Sequence, residues 1–364
     1  MSPFPKKLDI YLMRKFIVSF VIALILIIGI VIIFDISEKI DYFLQKQAPI
    51  KGIIFDYYMN FIPYFVNMFS PLFVFITVIF FTSRLTANSE FVAMLSCGIS
   101  YHRLMVPYLV SATLIAALSL SLGMWVIPGA NETRIEFEKK YGRPTRQVQE
   151  RNIHYKLEGG QYVYVETFSK WNNTAYKFTL EDFRDSRLVS KLSADSAQWD
   201  STDRCWKLKN YTLRNFTEGG ITDRVKNGRA IDTTLTLTIE DFYLNKNTVE
   251  MLSWTDLNAL INTQRERGDA MVVYAEIEKH SRLALPFSAF ILTIMGVSLS
   301  TKKRRGGIGW NIAVGIALSF SYILFMKFSQ MFVFTDTLPP YIALWLPNVV
   351  FAIIAAVLYK IAPK

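Results

Sequence analysis

The residue types that carry covalent or metal chemistry are few in this chain and poorly spaced for it. Three histidines, His102, His154 and His280, stand far apart, and the two cysteines, Cys97 and Cys205, have no metal-ligand spacing. There is no GxxxxGK[ST] phosphate loop, no HExxH and no GxSxG. No catalytic constellation is left, so the chain is not expected to be an enzyme by itself, and neither a cofactor nor a metal is expected. Two polar features remain. The run Thr86-Ala87-Asn88-Ser89-Glu90-Phe91-Val92-Ala93-Met94-Leu95-Ser96-Cys97-Gly98 predicts a short helix at 86–98, with an acid in its first turn and a glycine stop. Phe91, Met94 and Leu95 give it one apolar side, to be covered by the protein's own helices and headgroups or by a docked partner. The second feature is Lys327 in Phe325-Met326-Lys327-Phe328-Ser329. A charge at the centre of a membrane span costs about 2.5–3.5 kcal/mol on insertion scales, so it faces a cavity or partner, or it snorkels to the interface.

The elements around these features are set by composition. Hydrophobic residues make up 52% and charged residues only 19%, and long stretches carry almost no charge. A net charge of +10 would suit a nucleic-acid partner, but the basic residues flank apolar segments instead, so no nucleic-acid role is expected. Spans of about 20 apolar residues are expected at Phe16–Phe34, Tyr57–Thr82 (with Pro63 and Pro71 inside), Leu104–Ile127, Leu283–Ser300, Ile308–Phe334 and Tyr341–Tyr359. The third is expected to stop at Pro128-Gly129. Lys6, Lys7, Arg14, Lys15, Arg84, Arg103, the Lys302-Lys303-Arg304-Arg305 run, Lys360 and Lys364 fall on one side, which the positive-inside rule makes the cytoplasm. Both termini are then cytoplasmic, and the polar segment after the third span lies outside, with Cys97 and Cys205 on opposite sides.

That outer segment alternates as strands do. Tyr162-Val163-Tyr164-Val165, Ala175–Phe183, Arg187–Trp199, Cys205–Phe216 and Ile231–Tyr243 follow one another. Turn residues separate them at Glu158-Gly159-Gly160, Trp171-Asn172-Asn173, Asp200-Ser201-Thr202-Asp203 and Glu218-Gly219-Gly220. The strict alternation of Thr234–Ile239 predicts a strand with one apolar face. The fold class is therefore an α-helical membrane protein of six transmembrane helices plus an all-β domain, sandwich or jelly-roll-like, inserted between spans 3 and 4. The expected divisions are 1–130, 131–270 and 271–364. Phe178, Trp199, Trp206 and Leu208 either fill an ordinary core or line a lipid groove. Trp254–Arg267 predicts an amphipathic helix through Leu257, Leu260 and Ile261, stopped by Gly268.

Several of these segments, in this order, resemble a known family. Leu8-Asp9-Ile10-Tyr11-Leu12, Ser89-Glu90-Phe91-Val92-Ala93-Met94 through Gly98, Trp125-Val126-Ile127-Pro128, Tyr162-Val163-Tyr164-Val165-Glu166, Cys205-Trp206-Lys207-Leu208 and Leu338-Pro339-Pro340 look like segments of the LptF/LptG-type permeases of the lipopolysaccharide exporter. The two β segments look closer to the LptG branch. The resemblance implies an inner-membrane permease that extracts lipopolysaccharide and passes it to a periplasmic bridge. Its partners would be a cytoplasmic LptB-like ATPase dimer, a second six-span permease (LptF-like, or itself), a single-span LptC-like protein and an LptA-like bridge. It assigns ATPase coupling to Glu90, Phe91, Ala93, Met94, Leu95 and Gly98. Lys39, Lys46, Arg134 and Lys327 are the lipid-phosphate candidates, although the basic residues do not align cleanly with the family's. It raises the groove reading of Phe178, Trp199, Trp206 and Leu208. The alternative is an ABC-type mechanotransmission protein that carries no lipid itself.

Overall fold

Unbroken apolar runs with charges at their ends give the long helices. A computed structural model describes residues 6–142, 151–185, 187–216, 224–243, 246–269, 271–301, 307–335 and 337–362. Along it run α1 (Lys7–Gln45), α2 (Ile50–Ala87), α3 (Glu90–Ser96) and α4 (Tyr101–Tyr141). Six strands follow: β1 (Arg151–Lys156), β2 (Gln161–Ser169), β3 (Thr174–Arg184), β4 (Arg187–Asp200), β5 (Cys205–Asn215) and β6 (Arg224–Thr233). The chain continues with α5 (Lys246–Met251), α6 (Trp254–Arg267), α7 (Val272–Ser300), α8 (Gly307–Phe334) and α9 (Pro340–Ile361). It divides into a helical unit, residues 1–143, 250–254 and 276–364, and a β unit, residues 144–249 and 255–275. The Lys302–Arg305 run, Lys364 and the expected turn at Glu218-Gly219-Gly220 lie outside the described residues.

Among the described residues six helices, α1, α2, α4, α7, α8 and α9, are long and apolar enough to cross a membrane. The third does not stop at Pro128-Gly129 as expected. A π-helical turn at Leu122–Val126 is followed by a resumed α-helix from Ile127, with Pro128 in its first turn. The ladder is already shifted there, the Ile127 amide bonding to the Leu122 carbonyl, so Pro128 falls at the seam between π and α patterns rather than inside a regular α-helical run. The second helix carries a π turn of its own at Ile53–Tyr58. Helix α2 is central. Phe73, Val78 and Phe81 pack with Phe16 and Phe20 of α1 and Leu104 and Tyr108 of α4. Phe75 and Ile79 pack with Leu292 and Met295 of α7, Tyr322 of α8 and Phe351 of α9. Small residues let the helices close in: a Cβ on Gly296 would sit 2.9 Å from Val78 Cγ1, and one on Gly315 would overlap Ile79 Cδ1. Buried polar bonds tie the last three spans together. Tyr322 donates to Asn348 Oδ1 (2.8 Å), and Asn348 Nδ2 donates to the Ala284 carbonyl (2.8 Å), tying α8, α9 and α7.

In the β unit the six strands form one antiparallel sheet in the order β1-β2-β3-β4-β5-β6, each paired with its sequence neighbour. Local turns suffice for such a meander. Asp200 accepts from the Thr202 amide (2.8 Å) to close the β4–β5 turn, and Gly159 and Gly160 adopt positive φ before β2. Val163, Val165, Phe178, Ala194, Trp206 and Leu208 lie buried in its apolar core. The expected strand through Thr234–Ile239 is corrected. Strand β6 ends at Thr233, and Ile239–Tyr243 is a 3-10 turn. The alternation still governs burial: Leu237 is fully buried, Leu235 and Ile239 partly, while Thr234 and Thr236 are exposed. A side chain holds this segment instead of a ladder, as Trp206 Nε1 donates to the Leu237 carbonyl (2.8 Å). Helix α6 buries Leu257 and Ile261, with Leu260 partly covered, and Gly268 at positive φ follows it.

Candidate functional site

Three places hold the residues singled out by sequence. The first is the loop helix α3 between α2 and α4. Ser89 precedes it at φ 61° and Gly98 follows it at φ 83°. Its Glu90 accepts from the Tyr11 hydroxyl (2.9 Å) and from Asn88 Nδ2 (3.4 Å). Phe91 is fully buried, edge-on to Tyr101, and Met94 and Leu95 pack partly buried on the same cluster. Of the patch Phe91, Met94 and Leu95, the protein's own helices cover Phe91 fully, while Met94 and Leu95 stay partly open. Val92, Ala93, Ser96, Cys97 and Gly98 are the exposed positions. Beside α3, Arg103 grips the buried Asp9 with two bonds of 2.7 and 2.6 Å, and Asp9 also accepts from the Lys6 amide (2.7 Å). This fork joins α1 to α4 and gives the Leu8–Leu12 segment a structural reason. Sequence reasoning missed it, although an acid and an arginine at the ends of apolar runs were a visible signal.

The second place is the far end of α1. Lys39 lies 3.0 Å from both Asp35 and Glu138, and it donates to the Tyr57 hydroxyl. The π turn in α2 lets consecutive tyrosines reach one carboxylate, Tyr57 at 3.3 Å and Tyr58 at 3.0 Å from Asp35. Phe43, Tyr57 and Phe137 pack beneath, with ring centroids 5.7–5.9 Å apart. Two carboxylates thus neutralise one ammonium, and Lys39 is not the open cation a phosphate contact would want. Lys46 donates to the Gly142 carbonyl (2.7 Å) and is otherwise exposed. Arg134, one turn from Glu138 on α4, lies 4.9 Å over the Tyr64 ring. The structure therefore brings Lys39 and Lys46 to α4, which carries Arg134. Lys327 is exposed on α8, a helix packed on α2 and α9.

The third place is the apolar face of the sheet. Phe178, Trp206 and Leu208 are fully buried and Trp199 partly, all four in one cluster, with Trp199 and Trp206 edge to face at 5.2 Å. Segment 234–243 lies over them through Leu237 and Phe242. Near α6, burial raises the carboxyl of Asp269 above its ordinary range, although the Met271 amide (2.8 Å) and Gln264 Nε2 (3.2 Å) donate to it. Among the described residues no three His, Cys, Asp or Glu side chains gather where they could hold a metal. Both cysteines are free, Cys97 exposed and Cys205 buried.

Among the described residues, six membrane-length helices with an antiparallel sheet between the third and fourth define a helical membrane protein with an inserted β domain. The family model for the lipopolysaccharide export system permease LptF/LptG matches residues 10–361, and the chain belongs to that family. It is an inner-membrane transport subunit rather than an enzyme. The match covers LptF and LptG together, so the closer likeness to the LptG branch is not carried by it. No individually curated protein matches the chain.

Proposed function

We propose that this chain is one permease subunit of an ATP-driven exporter that draws lipopolysaccharide out of the inner membrane and hands it to a periplasmic bridge. What carries this is the family match over residues 10–361 joined to a helical layout with no nucleotide loop of its own. Hydrolysis then falls to an LptB-like ATPase pair in the cytoplasm. In favour of both termini cytoplasmic and a periplasmic β unit stands the basic asymmetry of Lys7, Arg14, Lys15, Arg84 and Arg103. Helix α3 faces the ATPase with Glu90, Val92, Ala93 and Gly98, while Phe91, Met94 and Leu95 anchor it to the spans so that movement of the seat reaches α2 and α4. A second permease covers the open faces of α1 and α8, which bury only 17% and 28% of their most apolar windows against 67% for α7. The LptC-like protein and LptA-like bridge then receive the lipid from the β unit. Its acyl chains enter along Phe178, Trp199, Trp206 and Leu208 once segment 234–243 moves aside. Lys46, Arg134 and Lys327 are the cations for lipid phosphate, and Lys39 braces α1 against α4.

The test is reconstitution with the ATPase and the second permease in proteoliposomes. Lipopolysaccharide should change the ATPase rate, and ATP should release lipopolysaccharide to a soluble bridge protein. ATP hydrolysis indifferent to the lipid, together with no release, rejects the proposal.

A further inference from the structure

The β unit has a second face that the permease reading leaves unused. Cross-strand register places Lys156 of β1 opposite Tyr162 of β2, Tyr162 opposite Glu181 of β3, and Glu181 opposite Lys191 of β4. These positions alternate with the buried Tyr155, Val163 and Leu192, so they stand on the opposite side of the sheet from the apolar core. Strands lie about 4.8 Å apart, so the row is a short line of cation, aromatic ring, carboxylate and cation. The next row sets His154 opposite Tyr164 and Tyr164 opposite Thr179. Around these rows lies a pocket of about 560 Å³, which Arg267 at the end of α6 also lines.

We propose that this pocket binds the phosphorylated sugar head of the exported glycolipid. The proposal rests on the permease reading and adds to it which part of the lipid this face takes. Charge selects an anion: Lys156 and Lys191 line the pocket against the single carboxylate of Glu181, while Arg267, also in the lining, is already paired with Asp241 at 2.7 Å. Lys156 is exposed and makes no ion pair among the described residues. Lys191 shares Glu181 at 2.8 Å with both side chains partly open, an exposed pair that an incoming phosphate exchanges at little cost. The rings select a sugar. Tyr162 is 42% exposed and held edge-on by Phe183 at 5.4 Å, so an ordered aromatic surface meets solvent. Tyr164 is held by its bond to Asn152 (2.9 Å) and by His154, with ring centroids 4.8 Å apart. Ordered rings beside hydroxyls and charges suit a ligand that is apolar on its ring face and polar at its edges. Acyl chains fit the other face, so the two sides of one sheet divide an amphiphile between them.

The full chain, purified with its ATPase and second permease, decides this by calorimetric titration with three probes. These are deacylated lipopolysaccharide retaining its phosphates, the same saccharide after phosphatase, and inorganic phosphate. Saturable binding of the first is expected, weakened about tenfold in Lys156→Glu, the scale of one charge-assisted bond. The phosphatase-treated saccharide should bind at least as weakly. The proposal is overturned by no saturable binding, by equal binding to Lys156→Glu, or by inorganic phosphate binding as tightly as the saccharide. Should Lys156→Glu misfold, a photocrosslinker in place of Tyr162 decides through the presence or absence of a lipopolysaccharide adduct. Release of intact lipopolysaccharide is measured on the same preparation. Release without saccharide binding overturns the pocket and spares the permease reading, whereas lack of release counts against that reading itself.

Discussion

Replacing Trp206 by Phe removes the bond that stands in for a strand ladder. Trp206 Nε1 donates to the Leu237 carbonyl at 2.8 Å, and both residues are 0% exposed. Phenylalanine keeps an aromatic ring against Phe242 but removes the donor, leaving a buried carbonyl without it. A net hydrogen bond contributes about 0.5–1.5 kcal/mol, and an orphaned buried acceptor costs about 1–3 kcal/mol, so a loss of about 2 kcal/mol is expected. Because β6 ends at Thr233, the loss falls on the opening of the segment that follows rather than on the whole sheet. At 1.4 kcal/mol per factor of ten, amides in 234–238 should exchange with deuterium about 30-fold faster. Peptides from β2 and β3 should keep their wild-type rates. Hydrogen exchange read by mass spectrometry on the full chain makes the measurement. Unchanged rates at 234–238 would refute the idea that this one bond closes the segment over the apolar face.

Two further outcomes follow from local geometry. Gly315→Ala puts a Cβ into Ile79 Cδ1 where α8 meets α2, an overpacking that should cost about 1–3 kcal/mol; it should lower the unfolding temperature in detergent, and adding Ile79→Val, which removes that methyl, should restore it. The Lys207 ammonium, followed by the Thr202 amide, holds Asp200 down to about 2 from its ordinary 3.8. The stabilising effect of that contact is fully present above pH 3.8 and is lost as pH falls through 2. Lys207→Gln should move the carboxylate titration, followed by NMR, up toward its ordinary value, and an unmoved titration would deny the pairing its role.

The sequence by itself determined what depends on runs and periods along the chain. Six apolar stretches had to become membrane helices, because an apolar run of that length has no soluble alternative and its backbone must bond internally. Helix α6 was legible end to end, since the spacing of Leu257, Leu260 and Ile261 and the stop at Gly268 are both local. The β-prone runs of β3, β4 and β5 were equally plain. Even where strand pairing failed, at 234–239, the alternation still told which side chains turn inward.

The tertiary structure decided whatever depends on a partner far away in the chain. Lys39 looked like an open cation until Glu138, 99 residues on, came within 3.0 Å of it. Asp9 and Arg103 each stood visibly at the end of an apolar run, but with 94 residues between them only the packing of α1 on α4 made them a pair. Phe91 offered itself to a partner only until its burial against α1, α2 and α4 was seen. A charge or ring has the same local sequence signature whether it meets water, a ligand or another helix. Its electrostatic and packing energy depends on distances between segments, and those are fixed only when the helices and strands come together.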